Sequence, residues 1–383
     1  MFPLPAELVD LIIDNVDAHE DLKTLILVSH TFLSAGQWRL FRCLTLGANT
    51  VAQLSEVLSQ SPHLASYVRD LHISLRLNQS ENHVPLVNIL RLLIGVKRVA
   101  ISGEDWQFWF WTAWPTELRA AIISLLSLPA MHSLAVIRCC GVPAALLWHA
   151  FACYKEVVLQ IGDLDLALKV KFGKSCEPKS LDHLVLIEGS STDTPDVHTF
   201  FLSPAVNSAS AHLQHLEIAL PSRQHADSLE IVSKYAASLQ HLTISFFWDL
   251  PPTNLPVLPR LRTLNFRASV VRLGGTLRLL MTQLPSIAPR LELLGITLTS
   301  NIPNYPGEYP VITAADDALA SLAQKNLREV RLTVDCIDLD AKRFGAEIKE
   351  KLPRTDATGI LSFRKIPKSR KWVAMKHFSD SGA

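Results

Sequence analysis

Three histidines occupy one place in one recurring pattern: His183 in LDHL, His215 in LQHL and His241 in LQHL. Neutral imidazole ligates metals and takes up protons near neutrality. If these positions fall on neighbouring strands of one sheet, about 4.8 Å apart, the three rings form a ladder. A metal centre would need better convergence and a carboxylate or thiolate shell. A solvated or hydrogen-bonded ladder is therefore expected, with a pH-sensitive surface as the alternative and no metal. Gly173-Lys174-Ser175 has the end of a phosphate loop, but Leu168 stands where the loop's first glycine is required. HExxH and GxSxG are absent, and no acid–base pair stands out. The chain reads as a non-enzyme that needs no cofactor, although a site assembled from distant residues stays open as an alternative.

The elements that must position these side chains come from a repeat. Apolar, two residues, apolar, one residue, apolar begins at Phe41 and returns at Val68, Val96, Met131, Tyr154, Leu181, Leu213, Leu239, Leu261, Leu291 and Leu327. The spacing of about 22 to 36 residues is that of a leucine-rich solenoid. The last residues of each motif alternate as a strand does, and helical stretches follow at 51–58, 84–94, 117–128, 226–236, 276–284, 314–323 and 341–352. One strand–helix unit cannot bury its own apolar side, so the units must stack. The expected fold class is α/β, with a parallel concave sheet and convex helices. The asparagine of the leucine-rich consensus is present only at Asn49, so the array should be irregular. The Pro-rich segment 247–259 should carry no helix.

The residues flanking the middle apolar position should face the concave side. There, Ala135, Val158 and Val185, with Ile137 and Ile187 two residues on, form an apolar patch that a target protein could use. His183, His215 and His241 share that face. A Trp-rich insertion carrying Trp109 and Trp111 either covers the patch from within or touches the partner itself.

Residues 1–46 stand apart. Leu8, Leu11, Ile12 and Val16 line one face of a first helix, and Val9 and Ile13 a second. Asp17 and Glu20 suit the start of a second helix, Ser29 that of a third. So small a unit rarely builds an adequate core, so one face should pack inward and another be reserved.

Leu4-Pro5, Glu7-Leu8, Ile12, Val16, Glu20-Asp21-Leu22, Leu25, Val28-Ser29, Phe32 and Trp38 resemble an F-box, with Phe32 where that motif often has tryptophan. The resemblance implies docking onto a Skp-family adaptor of a cullin–RING ubiquitin ligase. Leu4, Pro5, Leu8, Ile12, Val16, Leu22, Leu25, Val28 and Phe32 would bind the adaptor or support the helices that do. WRLFRCLTL, the tryptophan-rich segment and the repeated LQHL resemble fungal F-box-like proteins with irregular leucine-rich tails. That implies three parts: an F-box at 1–46, a solenoid at 47–352 and a basic tail or cap at 353–383. The implied function is substrate recognition for a Skp–cullin–F-box ligase, with an unknown target protein held by the solenoid. A leucine-rich interaction scaffold with no ubiquitin role is the alternative.

Composition bounds the partners. Across 383 residues, 37 Lys and Arg against 36 Asp and Glu leave a net charge of +1, with no electrostatic case for nucleic acid. Residues 120–137 are apolar enough to suggest a membrane span, but Pro129 and His132 interrupt them, and a helix, a turn and a strand are expected. No membrane partner is expected. Cys43, Cys139, Cys140, Cys153, Cys176 and Cys336 form no framework, so reduced thiols in a cytoplasmic or nuclear protein are expected. Arg364, Lys365, Lys368, Arg370, Lys371 and Lys376 read as a solvated end, or as a nuclear address or anionic contact.

Overall fold

The computed structural model describes residues 4–16, 18–75, 83–103, 108–168, 170, 172, 179–187, 195–220, 225–246, 254–269, 274–299, 316–323, 325–335, 346 and 348–365. The chain divides into two compact units: residues 1–155 with 161–179, and residues 156–160 with 180–383. This division falls inside the expected repeat array, and the N-terminal helices belong to the first unit.

The first unit opens with α1 (Ala6–Asp14), α2 (His19–Val28) and α3 (His30–Arg42). Pro5 is the N-cap of α1. The Ser29 hydroxyl caps α3 by accepting from the Thr31 N–H at 3.2 Å, as its position suggested. Asp17, the expected cap of α2, lies outside the described residues. Val9, Ile13 and Leu22 form a small buried core, with Val16, Leu25, Ile26, Phe32, Ala35 and Leu40 packed around it. A Cβ on Gly36 of α3 would run into the Ile26 side chain, so the glycine permits the close approach of α2 and α3.

Parallel strands follow at Cys43–Leu46, Asp70–Leu75, Arg98–Gly103 and Ser133–Cys140, each in register with the one before. Helices Val51–Gln60, His83–Leu92, Thr116–Leu126 and Ala144–Cys153 intervene or follow. The apolar run at 120–137 is indeed a helix, a turn and a strand. Among the described residues no helix is long and apolar enough to cross a membrane.

The second unit repeats the scheme. Strands Glu156–Ile161, His183–Leu186, His215–Leu220, His241–Phe246, Thr263–Ser269, Leu293–Thr299 and Glu329–Asp335 pair in parallel, in that order. All eleven expected strands are thus present. A further one, Leu361–Lys365, adds to the last, pairing Val330 with Leu361. Arg364 and Lys365 therefore sit in a strand, Arg364 still exposed to solvent; the later basic residues lie outside the described ones. Helices include His225–Tyr235, Gly274–Ile287 and Asp316–Ala323. The described part of the Pro-rich segment, 254–259, has no helix.

The first apolar residue of each motif anchors the repeat: Val68, Val96, Leu181, Leu213, Leu239 and Leu261 are wholly buried. Main-chain rungs tie the strands together at their start. In the first unit the rungs run Arg69 N–H to Arg42 O, Lys97 to Arg69, His132 to Lys97 and Lys155 to His132. In the second they run Gln214 to Asp182, Gln240 to Gln214, Arg262 to Gln240, Glu292 to Arg262 and Arg328 to Glu292, at 2.8–3.1 Å. These bonds pair main-chain groups that would otherwise be lost on burial. At the first turn Thr50, not Asn49, does the side-chain work: its hydroxyl accepts from the Gly47 N–H and donates to Thr45 O.

Candidate functional site

The residues that could meet a partner fall in three places. On the N-terminal helices, helical spacing splits the apolar side chains between two faces. Val9 and Ile13 turn inward, whereas Leu4, Leu8, Leu11 and Ile12 are exposed, and Leu27 and Val28 at the end of α2 are 87% and 76% exposed. Pro5 is exposed too. Of the residues the F-box resemblance singled out, Leu4, Pro5, Leu8, Ile12 and Val28 are open to solvent. Leu22 is buried, and Val16, Leu25 and Phe32 are half-buried against it, so these four hold the helices. Leu27, the most exposed of the set, and Leu11, third after Val28, lie outside the residues that resemblance names; the i+3 step from Leu8 marks Leu11. A groove of about 610 Å³ opens between α1 and α3, floored by Val9, Ile13 and Ala35 and rimmed by Asp10, Trp38 and Tyr67.

The second place is the start of the strands in the first unit. Asp70 and Arg98 form a buried, two-pronged ion pair, Nε to Oδ1 at 2.5 Å and Nη2 to Oδ2 at 2.8 Å. The Cys43 thiol donates to Asp70 Oδ2 at 3.3 Å. Burial, with the Asp70 charge behind it, pushes the Cys43 thiol up to about 11, which leaves it a poor nucleophile. Burial also pushes Cys140 up to about 11 and raises Cys139 in the same direction. Cys43, Cys139 and Cys140 are free thiols; Cys153 departs from the expected reduced state and is disulfide-bonded.

In the same unit Trp109–Phe110 pairs with Cys139–Cys140 of the long strand. The Trp109 Nε1–H donates to Ile137 O at 3.0 Å, and Trp109 stacks on Trp114 with centroids 4.1 Å apart. Trp109, Trp111 and Trp114 are buried. The insertion packs within its own unit and does not present these rings to a partner; Trp106 lies outside the described residues. Ala135, Ile137, Val158 and Val185 are likewise buried, Ala135, Val158 and Val185 completely. The expected apolar docking patch is therefore core, and of its members Ile187 alone keeps partial exposure. The alternation of a strand marks which residues share a face, but not whether that face is covered.

The third place is the histidine row of the second unit. Register sets His183 beside His215 and His215 beside His241. The His215 and His241 rings stack almost parallel with centroids 4.1 Å apart; His183 and His215 lie tilted at 5.5 Å. Glu156 Oε1 lies 3.5 Å from His183 Nδ1 at one end. Burial holds His215 and His241 below the ordinary histidine range, and His241, further depressed by His215 and Arg262, titrates at about 4. Stacked rings direct their lone pairs side by side, not at one point. Among the described residues no group of three or more His, Cys, Asp or Glu is placed to hold a metal. Further along, Arg267 pairs with Glu217 across the intervening strand, and Glu329 accepts from Arg331 and Ser362. The Arg331 and Ser362 bonds hold the Glu329 carboxyl below its usual range.

No family description matches the chain, and no curated protein does. Among solved structures it is similar to the leucine-rich repeat-containing protein LegL7 from Legionella pneumophila, at 14% identity, over 82% of this chain and 90% of that one, with a TM-score of 0.42.

Proposed function

We propose that the chain is the substrate-recognition subunit of a Skp–cullin–F-box ubiquitin ligase, of the fungal F-box-like kind its sequence resembles. The carrying observation is that Leu4, Leu8, Leu11 and Ile12 at α1, and Leu27 and Val28 at the end of α2, are exposed while Val9, Ile13 and Leu22 of the same helices are packed. Six large apolar side chains on so small a unit are a poor solvent surface and a good docking surface. A Skp-family adaptor would cover them. The strand–helix repeats would hold the target, so that the chain raises the target's concentration near an activated ubiquitin thioester carried by another subunit. The chemistry belongs to that subunit, and this chain would need no cofactor.

The test is co-purification of the full chain with a Skp-family adaptor, beside a Leu8→Asp, Ile12→Asp double substitution. Both positions are exposed, so the fold should persist while adaptor is lost. Equal recovery from both, or none from either, would leave an interaction scaffold with no ubiquitin role.

A further inference from the structure

Glu156, His183, His215 and His241 stand on four consecutive strands of the second unit, each in register with the next. The main chain fixes this row: His215 N–H donates to Asp182 O and His241 N–H to Gln214 O, at 3.0 and 2.9 Å. The imidazoles can therefore separate only by rotating their side chains. We infer that the row is an acid-responsive element, closed by stacking of neutral His215 on neutral His241 and opened when protonation sets two cations face to face. No step beyond proton uptake from water is involved.

The surrounding charges support this direction. Arg262 acts on His241 in the same sense as His215 does, by disfavouring its cation. Asp182 favours the His215 cation, but burial outweighs it. Glu156 faces His183, at the far end of the row. Glu217, on the His215 strand, is engaged by Arg267 from the strand beyond His241. Thr263, the register partner of His241 on its other side, carries no charge. A histidine held at about 4 when folded, against about 6.5 when unfolded, stabilises the fold above pH 6.5. That contribution is lost as the pH falls from about 6.5 towards 4, because the unfolded chain takes up the proton first.

The test is a ring-resonance NMR titration of the full chain labelled at histidine, from pH 8 to 4, with the ring signals assigned in the wild type by through-bond correlation to the main chain. The His241 midpoint should lie more than one pH unit below that of free histidine, and His215→Gln should raise it. In denaturant titrations the wild-type folding constant should fall about tenfold or more between pH 7 and 4.5. The His215→Gln, His241→Gln double substitution should remove most of that fall. A wild-type His241 midpoint at the free-histidine value overturns the proposal, as does one that ignores His215→Gln. The wild-type titration decides the matter even if the glutamine variants fail to fold.

Discussion

Leucine and its kin serve opposite ends in the N-terminal helices and in the strands that follow. In α1 and α2 only Val9, Ile13 and Leu22 are buried, while Leu8, Leu11, Leu27 and Val28 face water. In the strands, Leu71, Ile73, Val99, Leu134, Leu216, Leu242 and Phe266 are at most 2% exposed. A repeat unit can pass its apolar side to the next unit, whereas three short helices have no such neighbour for their second face. The difference teaches that apolar content alone does not mark a core; what matters is whether the architecture supplies a partner. The buried strand residues explain stability, and the exposed helix residues are what the proposed docking rests on.

Substitutions at the two kinds of position should separate widely. Phe266→Ala removes a wholly buried ring and should cost about 3–5 kcal/mol, read as a lowered denaturation midpoint. Asp70→Asn removes the negative charge facing the buried Arg98 and should cost a similar or slightly smaller amount, about 3 kcal/mol. Replacing both by apolar residues of similar volume should restore most of that loss, which would show the pair to be a matter of mutual neutralisation. Asp316 accepts from the Arg354 and Thr355 N–H groups and from the Thr355 hydroxyl at 3.0, 2.8 and 2.6 Å. Asp316→Ala should cost about 1–3 kcal/mol by orphaning those donors. At the other extreme, Leu27→Ala should stay within about 0.5 kcal/mol, because its side chain already lies in water. A large loss at Leu27 would erase the contrast between the two regions.

The strand positions were legible because an apolar anchor and a two-residue alternation repeat with little noise, and the histidine register follows from the same pattern. Helix Ala144–Cys153 was not legible, because it is apolar nearly all round and shows no amphipathic period. The strand Leu361–Lys365 was missed because Leu361 and Phe363 lack the anchor that precedes the other strands. The fate of the concave apolar patch was also hidden. Alternation puts Ala135, Val158 and Val185 on one face but does not say whether that face is covered, and all three are wholly buried. For the helices the inward and outward faces were both written in the spacing, since Val9 and Ile13 lie on one side of α1 and Leu8 and Ile12 on the other. The turn chemistry was half legible: Asn49 drew attention, and its neighbour Thr50 makes the bonds.

The central claim is that the exposed helix face exists to be covered by an adaptor. Calorimetric titration of a purified Skp-family adaptor into the full chain tests it most directly, with Leu8→Asp, Ile12→Asp as the comparison and the denaturation midpoint as a check on folding. The account predicts saturable one-to-one binding that weakens at least a hundredfold in the double substitution while the midpoint stays put. Absence of binding by the wild-type chain, or equal binding by both, would contradict it.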